Sequence, residues 1–282
     1  MDPNFDPRTT SILLSVILEG VFLLLFVVTY IFGSWIIVRR APPVTLRRPS
    51  TTLFVAGTAM FLLAVAHFAL DLHIMLHVPP TDIEDRTMPS WYASIAKAKF
   101  MIYVTQTLIA DGFMTYRLYV VWDRCWPALF FPAIMLLLDA VLGYAAPLTK
   151  SVPTPYFFVA SLLTNIMCTV FIMSRVVFFT YRTSSTRPTL LRKVIEGMVQ
   201  SAAIYSAASV VLVVTIFASA HVVYVACLNV FPALIGLVFS FLVIRVGMQA
   251  TEGQYLPVSQ MQESQMIATS KPWPAIPPAT QR

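Results

Sequence analysis

Seven apolar stretches of about 20 to 27 residues follow one another between Ile12 and Met248. A bilayer core about 30 Å thick takes about 20 helical residues to cross, so each stretch is long enough to span. The expected fold is an all-α membrane protein, a bundle of seven transmembrane helices with spans near 12–37, 51–76, 96–121, 126–146, 156–180, 194–218 and 222–248. Composition agrees without reference to any window. With 58% hydrophobic and 11% charged residues, the chain lacks the polar surface that would keep a soluble globule of this length wetted.

The formal charge of +6 sits at the ends of the spans, not in an aromatic-interleaved patch. That distribution argues for lipid headgroups as the polar partner and against nucleic acid. Arg8, Arg86, Lys97, Lys99 and Lys150 fall on one side of the expected bundle, and the other 14 of the 19 basic residues fall on the opposite side. The excess of positive charge places the second side in the cytoplasm, the N-terminus outside and the C-terminus inside. No basic n-region precedes the first span and no small-residue cleavage site follows it, so it reads as an uncleaved signal-anchor. The plasma membrane is the expected location, with another endomembrane as the alternative.

Little chain lies outside the spans. Residues 1–11 form a short outer arm, residues 12–248 the membrane domain, and residues 249–282 a Pro-, Gln- and Ser-rich cytoplasmic tail expected to be disordered. The loop at 77–90, with Asp82, Glu84 and Asp85, is the largest outer connection, and the basic segments 39–48 and 182–193 are the candidate contacts for a cytoplasmic signalling partner. Cys125, Cys168 and Cys227 lie at different expected depths, which argues against a disulfide.

Ionisable groups within spans are costly and should face the bundle interior with a partner. Counting about 1.5 Å per residue, Glu19, His67, Asp71, Asp139 and Asn229 fall in the outer half of the bilayer and Gln106 near its middle. Together they outline an outward-opening polar cavity, whose excess of acids favours a small cationic ligand. His67 and Asp71 share a helix face at i, i+4 and can neutralise one another, anchor a ligand or relay a proton. Asp111 lies deeper, and its expected role is a polar contact holding the bundle, with Tyr205 and Ser206 of the sixth span as partners.

Other chemistries find no support in the residues. His73 and His77 also stand at i, i+4, but at the outer interface, and the last span has no histidine below its outer edge to complete a catalytic zinc site. The only basic residue within 222–248 is Arg245, which excludes a retinal Schiff base on that span. No catalytic motif, cofactor site or metal site is expected, and the chain is not read as an enzyme. Pro127, Pro132 and Pro232 each remove a backbone hydrogen bond and should kink their spans.

The run DGFMTYRLYVVW at 111–122, followed by Pro127 and Pro132, resembles the third-span signature of a large family of uncharacterised seven-span membrane proteins of basidiomycete fungi. QSAAIYS at 200–206 and the stretch 232–246, with Gly236 and Arg245, are similar to that family as well. The family often carries a glutamate where this chain has Gln200. The resemblance implies a fungal membrane protein and supplies no activity.

Topology, short outer segments and basic inner loops favour receptor-like sensing of a small ligand from the outer side. The alternative is a small-molecule or proton-linked transporter, suggested by the intramembrane acids and weakened by the absence of an evident inverted repeat. A membrane enzyme comes third.

Overall fold

A computed structural model describes residues 7–39, 47–77, 89–122, 125–149, 154–182, 190–218 and 221–252. The described residues form seven helices: α1 Pro7–Arg39, α2 Arg47–His77, α3 Ser90–Val121, α4 Trp126–Leu148, α5 Thr154–Arg182, α6 Leu190–Phe217 and α7 His221–Glu252. Within five of them lie segments long and apolar enough to cross a membrane: Leu13–Ile37, Thr51–His77, Trp126–Leu148, Thr154–Arg175 and Val225–Arg245. These mark the chain as a membrane protein. The arm expected at 1–11 is partly helical, since α1 begins at Pro7, and the tail beyond Glu252 and the loops at 40–46 and 183–189 lie outside the described residues.

Each helix packs on the next in sequence, and α7 packs on α1, which closes a ring; α3 and α7 also meet each other, α3 reaches α5, and α7 reaches α2. Residue pairings give the directions. Tyr30 meets Thr58 and Glu19 meets His67, so α1 and α2 are antiparallel. Ser15 meets Asn229 while Gly33 lies against Ile244, so α1 and α7 run parallel. Lys99 with Asn229, Gln106 with Pro232 and Phe113 with Phe239 likewise set α3 parallel to α7.

α3 owes its central place to the residues that make it the least apolar of the long helices. Gln106, Thr107, Asp111, Thr115 and Arg117 are all buried on it. At 32 residues its length suffices to cross a bilayer, but buried polar groups replace the continuous apolar run. The exterior is the converse, with Leu24, Leu62, Phe130, Leu137 and Val214 exposed. Polar groups confined to the interior, among a hydrophobic core, and an apolar surface suit a lipid solvent.

The prolines act differently from one another. Pro127 stands in the first turn of α4, where an N–H has no helical partner to lose, so it ends no hydrogen bond and the expected kink has no cause there. Pro132 and Pro147 in α4 and Pro232 in α7 lie inside their helices.

Candidate functional site

Two groups of buried polar residues occupy different levels of the bundle. The first is near the N-terminal ends of α1, α3 and α7 and the C-terminal end of α2. The His67 Nδ1 lies 2.7 Å from Glu19 Oε1 and 3.5 Å from Asp71 Oδ2. Lys99 Nζ donates to Asp71 Oδ1 and, at 3.1 Å, to Asn229 Oδ1. Asn229 Nδ2 in turn donates to Ser15 Oγ at 2.8 Å. Four helices are thus tied by one network. Glu19, His67, Asp71 and Asn229 are all buried, which makes every bond in it stronger than its counterpart in water.

Beside this network is a recess of about 140 Å³, lined by His67, Tyr92, Lys99, Tyr103 and Asn229 with Ile74, Ala96, Phe100 and Leu228. The lining combines a few polar groups with apolar and aromatic ones, the composition common to small-molecule sites. Below it lies an aromatic layer. Tyr103 contacts Phe157, Phe158 and Phe231 with ring centroids 6.1, 5.6 and 6.0 Å apart, and all four residues are buried.

The second group lies beyond that layer. Lys99 and Asp111 are separated by about 18 Å along α3. Ser161 Oγ donates to Asp111 Oδ2 at 2.7 Å and approaches the Tyr205 hydroxyl at 3.3 Å. Thr164 Oγ1 donates to Asp139 Oδ2 at 2.8 Å, and Ser206 Oγ to Asn165 Oδ1 at 3.2 Å. Thr115 Oγ1 donates to the Asp111 carbonyl and lies 3.8 Å from Cys168 Sγ. The second oxygens of Asp111 and Asp139 are buried with no hydrogen-bond partner among the described residues.

Of the residues expected to line one outer cavity, the structure brings together Glu19, His67, Asp71 and Asn229. It sets apart the other two. Asp139 faces Thr164 on α5, and Gln106 donates through Nε2 to the Pro232 carbonyl at 2.6 Å. For Asp139 the reason is the place of α4 in the ring: among the described residues it has no contact with α1, α2 or α7, so its acid cannot reach the network. For Asp111, Tyr205 is a neighbour through Ser161 and Ser206 bonds Asn165 instead.

Lys99 was read only as an interfacial charge, yet it is the hub of the network. The legible signal is that Lys99, Tyr103 and Gln106 recur at i, i+4, i+7 and so share one face of α3. Arg117, counted among the cytoplasmic charges, is also buried and lays its guanidinium over the Phe113 ring, 4.3 Å from the centroid. His73 and His77 stack at the end of α2 with ring centroids 4.2 Å apart, against Trp91. Among the described residues, Glu19, His67 and Asp71 are the side chains whose ligand atoms converge as a metal would need, all within 4.8 Å of one another.

No protein-family model, curated protein or solved structure matches the chain.

Proposed function

We propose that the chain is a seven-span integral membrane protein of the plasma membrane, N-terminus outside, of the basidiomycete kind that its third-, sixth- and seventh-span motifs resemble. Its proposed role is receptor-like sensing of a small ligand entering from the outer side. The observation that carries this reading is the recess beside Lys99 and Asn229, whose lining includes Tyr103 of the buried aromatic layer and does not include Asp111. A blind pocket suits a ligand that binds and leaves by one mouth. A carrier needs a path that opens to each side in turn.

The expected cationic ligand rested on four groups, and the geometry alters that balance. Asp139 is elsewhere, and Lys99 offsets one of the two remaining acids. The recess lining carries Lys99, His67 and Asn229 together with Tyr92, Phe100 and Leu228. A small amphiphile, apolar with one polar end, is the ligand this wall accommodates.

The test pairs two readouts on cells expressing the full chain: a signalling response to a panel of small amphiphiles, and uptake of the same compounds. A response without uptake, lost when Tyr92 and Leu228 are enlarged to Trp, supports sensing. Uptake without a response overturns it in favour of the transporter.

A further inference from the structure

Glu19, His67 and Asp71 present two carboxylates and an imidazole from adjacent helices, each nine-tenths or more buried: their exposures are 1%, 3% and 5%. Their ligand atoms lie within 4.8 Å of one another. Glu19 uses Oε1 toward His67 and leaves Oε2 without a hydrogen-bond partner among the described residues; Asp71 gives Oδ1 to Lys99 and leaves Oδ2 likewise. Two buried carboxylates within hydrogen-bond reach of one another are costly unless a proton or another cation lies between them.

We propose that Glu19, His67 and Asp71 bind one divalent transition-metal cation, of the zinc or manganese kind. The donor set decides the class. An imidazole with two carboxylates suits zinc, manganese or iron, whereas calcium and magnesium favour oxygen-only shells with more ligands. Shifts of about an ångström bring such atoms to the roughly 2.0–2.2 Å that zinc requires. Three protein ligands leave a coordination position for water or a ligand group.

Lys99 takes the place of an orienting outer partner. By donating to Asp71 Oδ1 it fixes that carboxylate and leaves Oδ2 for the ion, and Asn229 and Ser15 hold the ammonium in turn. With a neutral imidazole, the two carboxylates and one ammonium leave a single negative charge to be balanced. Entry is from the recess, since His67 and Lys99 both line it. The proposal does not depend on the sensing role: the site can bind an ion in a receptor, a carrier or neither.

The experiment uses full-length protein purified in detergent, stripped with a chelator and dialysed against zinc or manganese. Metal per chain is measured by mass spectrometry, the melting temperature is recorded, and the zinc shell is examined by X-ray absorption. The expected result is one ion per chain, a raised melting temperature, and a shell of nitrogen and oxygen with a single imidazole. The stacked His73 and His77 pair is the competing metal site, and both are exposed, so His73→Ala/His77→Ala tests it without disturbing the interior. That variant should keep the ion, whereas Glu19→Gln should weaken binding by more than about tenfold. If Glu19→Gln fails to fold, the wild-type absorption spectrum and the double-histidine variant still decide. Loss of the ion in His73→Ala/His77→Ala, or a folded wild-type protein that takes up no metal, overturns the proposal.

Discussion

The ring of Phe26 in α1 lies against the bare backbone of Gly236 in α7, so close that a single added Cβ at 236 would overlap three of its atoms. Phe26 is fully buried and edges against Tyr30 and Phe61, with centroids 6.3 and 5.8 Å away. The ring therefore has no free space into which to turn. Glycine at 236 is what lets the two helices approach this closely, as small residues do at membrane helix interfaces.

Gly236→Ala should accordingly destabilise the fold by about 1–3 kcal/mol, the usual cost of overpacking. Phe26→Leu in the same chain should recover part of that loss. Melting temperatures of the single and double variants in detergent check both statements, and an unchanged Gly236→Ala would show that the ring yields. Gly143→Ala is expected to behave similarly, because its Cβ would stand 2.6 Å from Val104 Cγ1 and 3.0 Å from the Phe157 ring.

At Asp111 the two substitutions to compare are Asn and Leu. Asn retains an acceptor for Ser161 and should leave folded yield near wild type, whereas Leu removes it and should lower the yield. Interhelical polar contacts in membranes are worth about 0.6 kcal/mol on average and up to about 1.7. Size-exclusion profiles of fluorescently tagged variants measure this. If both variants fold normally yet both abolish one cellular response, the carboxylate has a functional role and the structural reading of Asp111 is wrong.

Lys99→Met should be far more damaging than Lys97→Met. Lys97 is exposed, whereas Lys99 is partly buried and donates to the buried Asp71; removing one partner of a fully buried pair costs about 3–5 kcal/mol, which sets the upper bound here. The double variant Lys99→Met/Asp71→Leu should regain stability relative to Lys99→Met alone. Thermal melts of wild type, Lys99→Met, Asp71→Leu and the double variant form a double-mutant cycle, and additive losses would mean that the pair is not coupled.

The proposed topology is checked by labelling. Fourteen basic residues on one side against five on the other predict a tag at the N-terminus that antibody reaches on intact cells and a tag at the C-terminus that it reaches only after permeabilisation. The opposite pattern removes the sensing proposal.

Helix existence was legible because an apolar run of more than 20 residues announces itself, and α1, α2, α4, α5 and α7 each carry one. Depth along a helix was legible too: Glu19, His67, Asp71 and Asn229 do meet at one level. Placement around the ring was not. Asp139 lies in the deeper group and bonds Thr164 on α5, because nothing in α4 alone says which helices it will stand beside. Lys99 was hidden for a related reason. A lysine near a helix end reads as an interfacial charge, and only the partners on α2 and α7 turn it into an interior one.

The parallel seam between α1 and α7 also fixes an order of events in biogenesis. Ser15 and its partner Asn229 are 214 positions apart, and the apolar part of α7 is 61% buried against 17% for α4. α1 must therefore wait in the lipid with Ser15 lacking its donor and Phe26 without its glycine until α7 has been synthesised. The ring closes only once α7 has arrived, and a nascent chain stalled before α7 presents an open, polar-lined groove to the quality-control machinery.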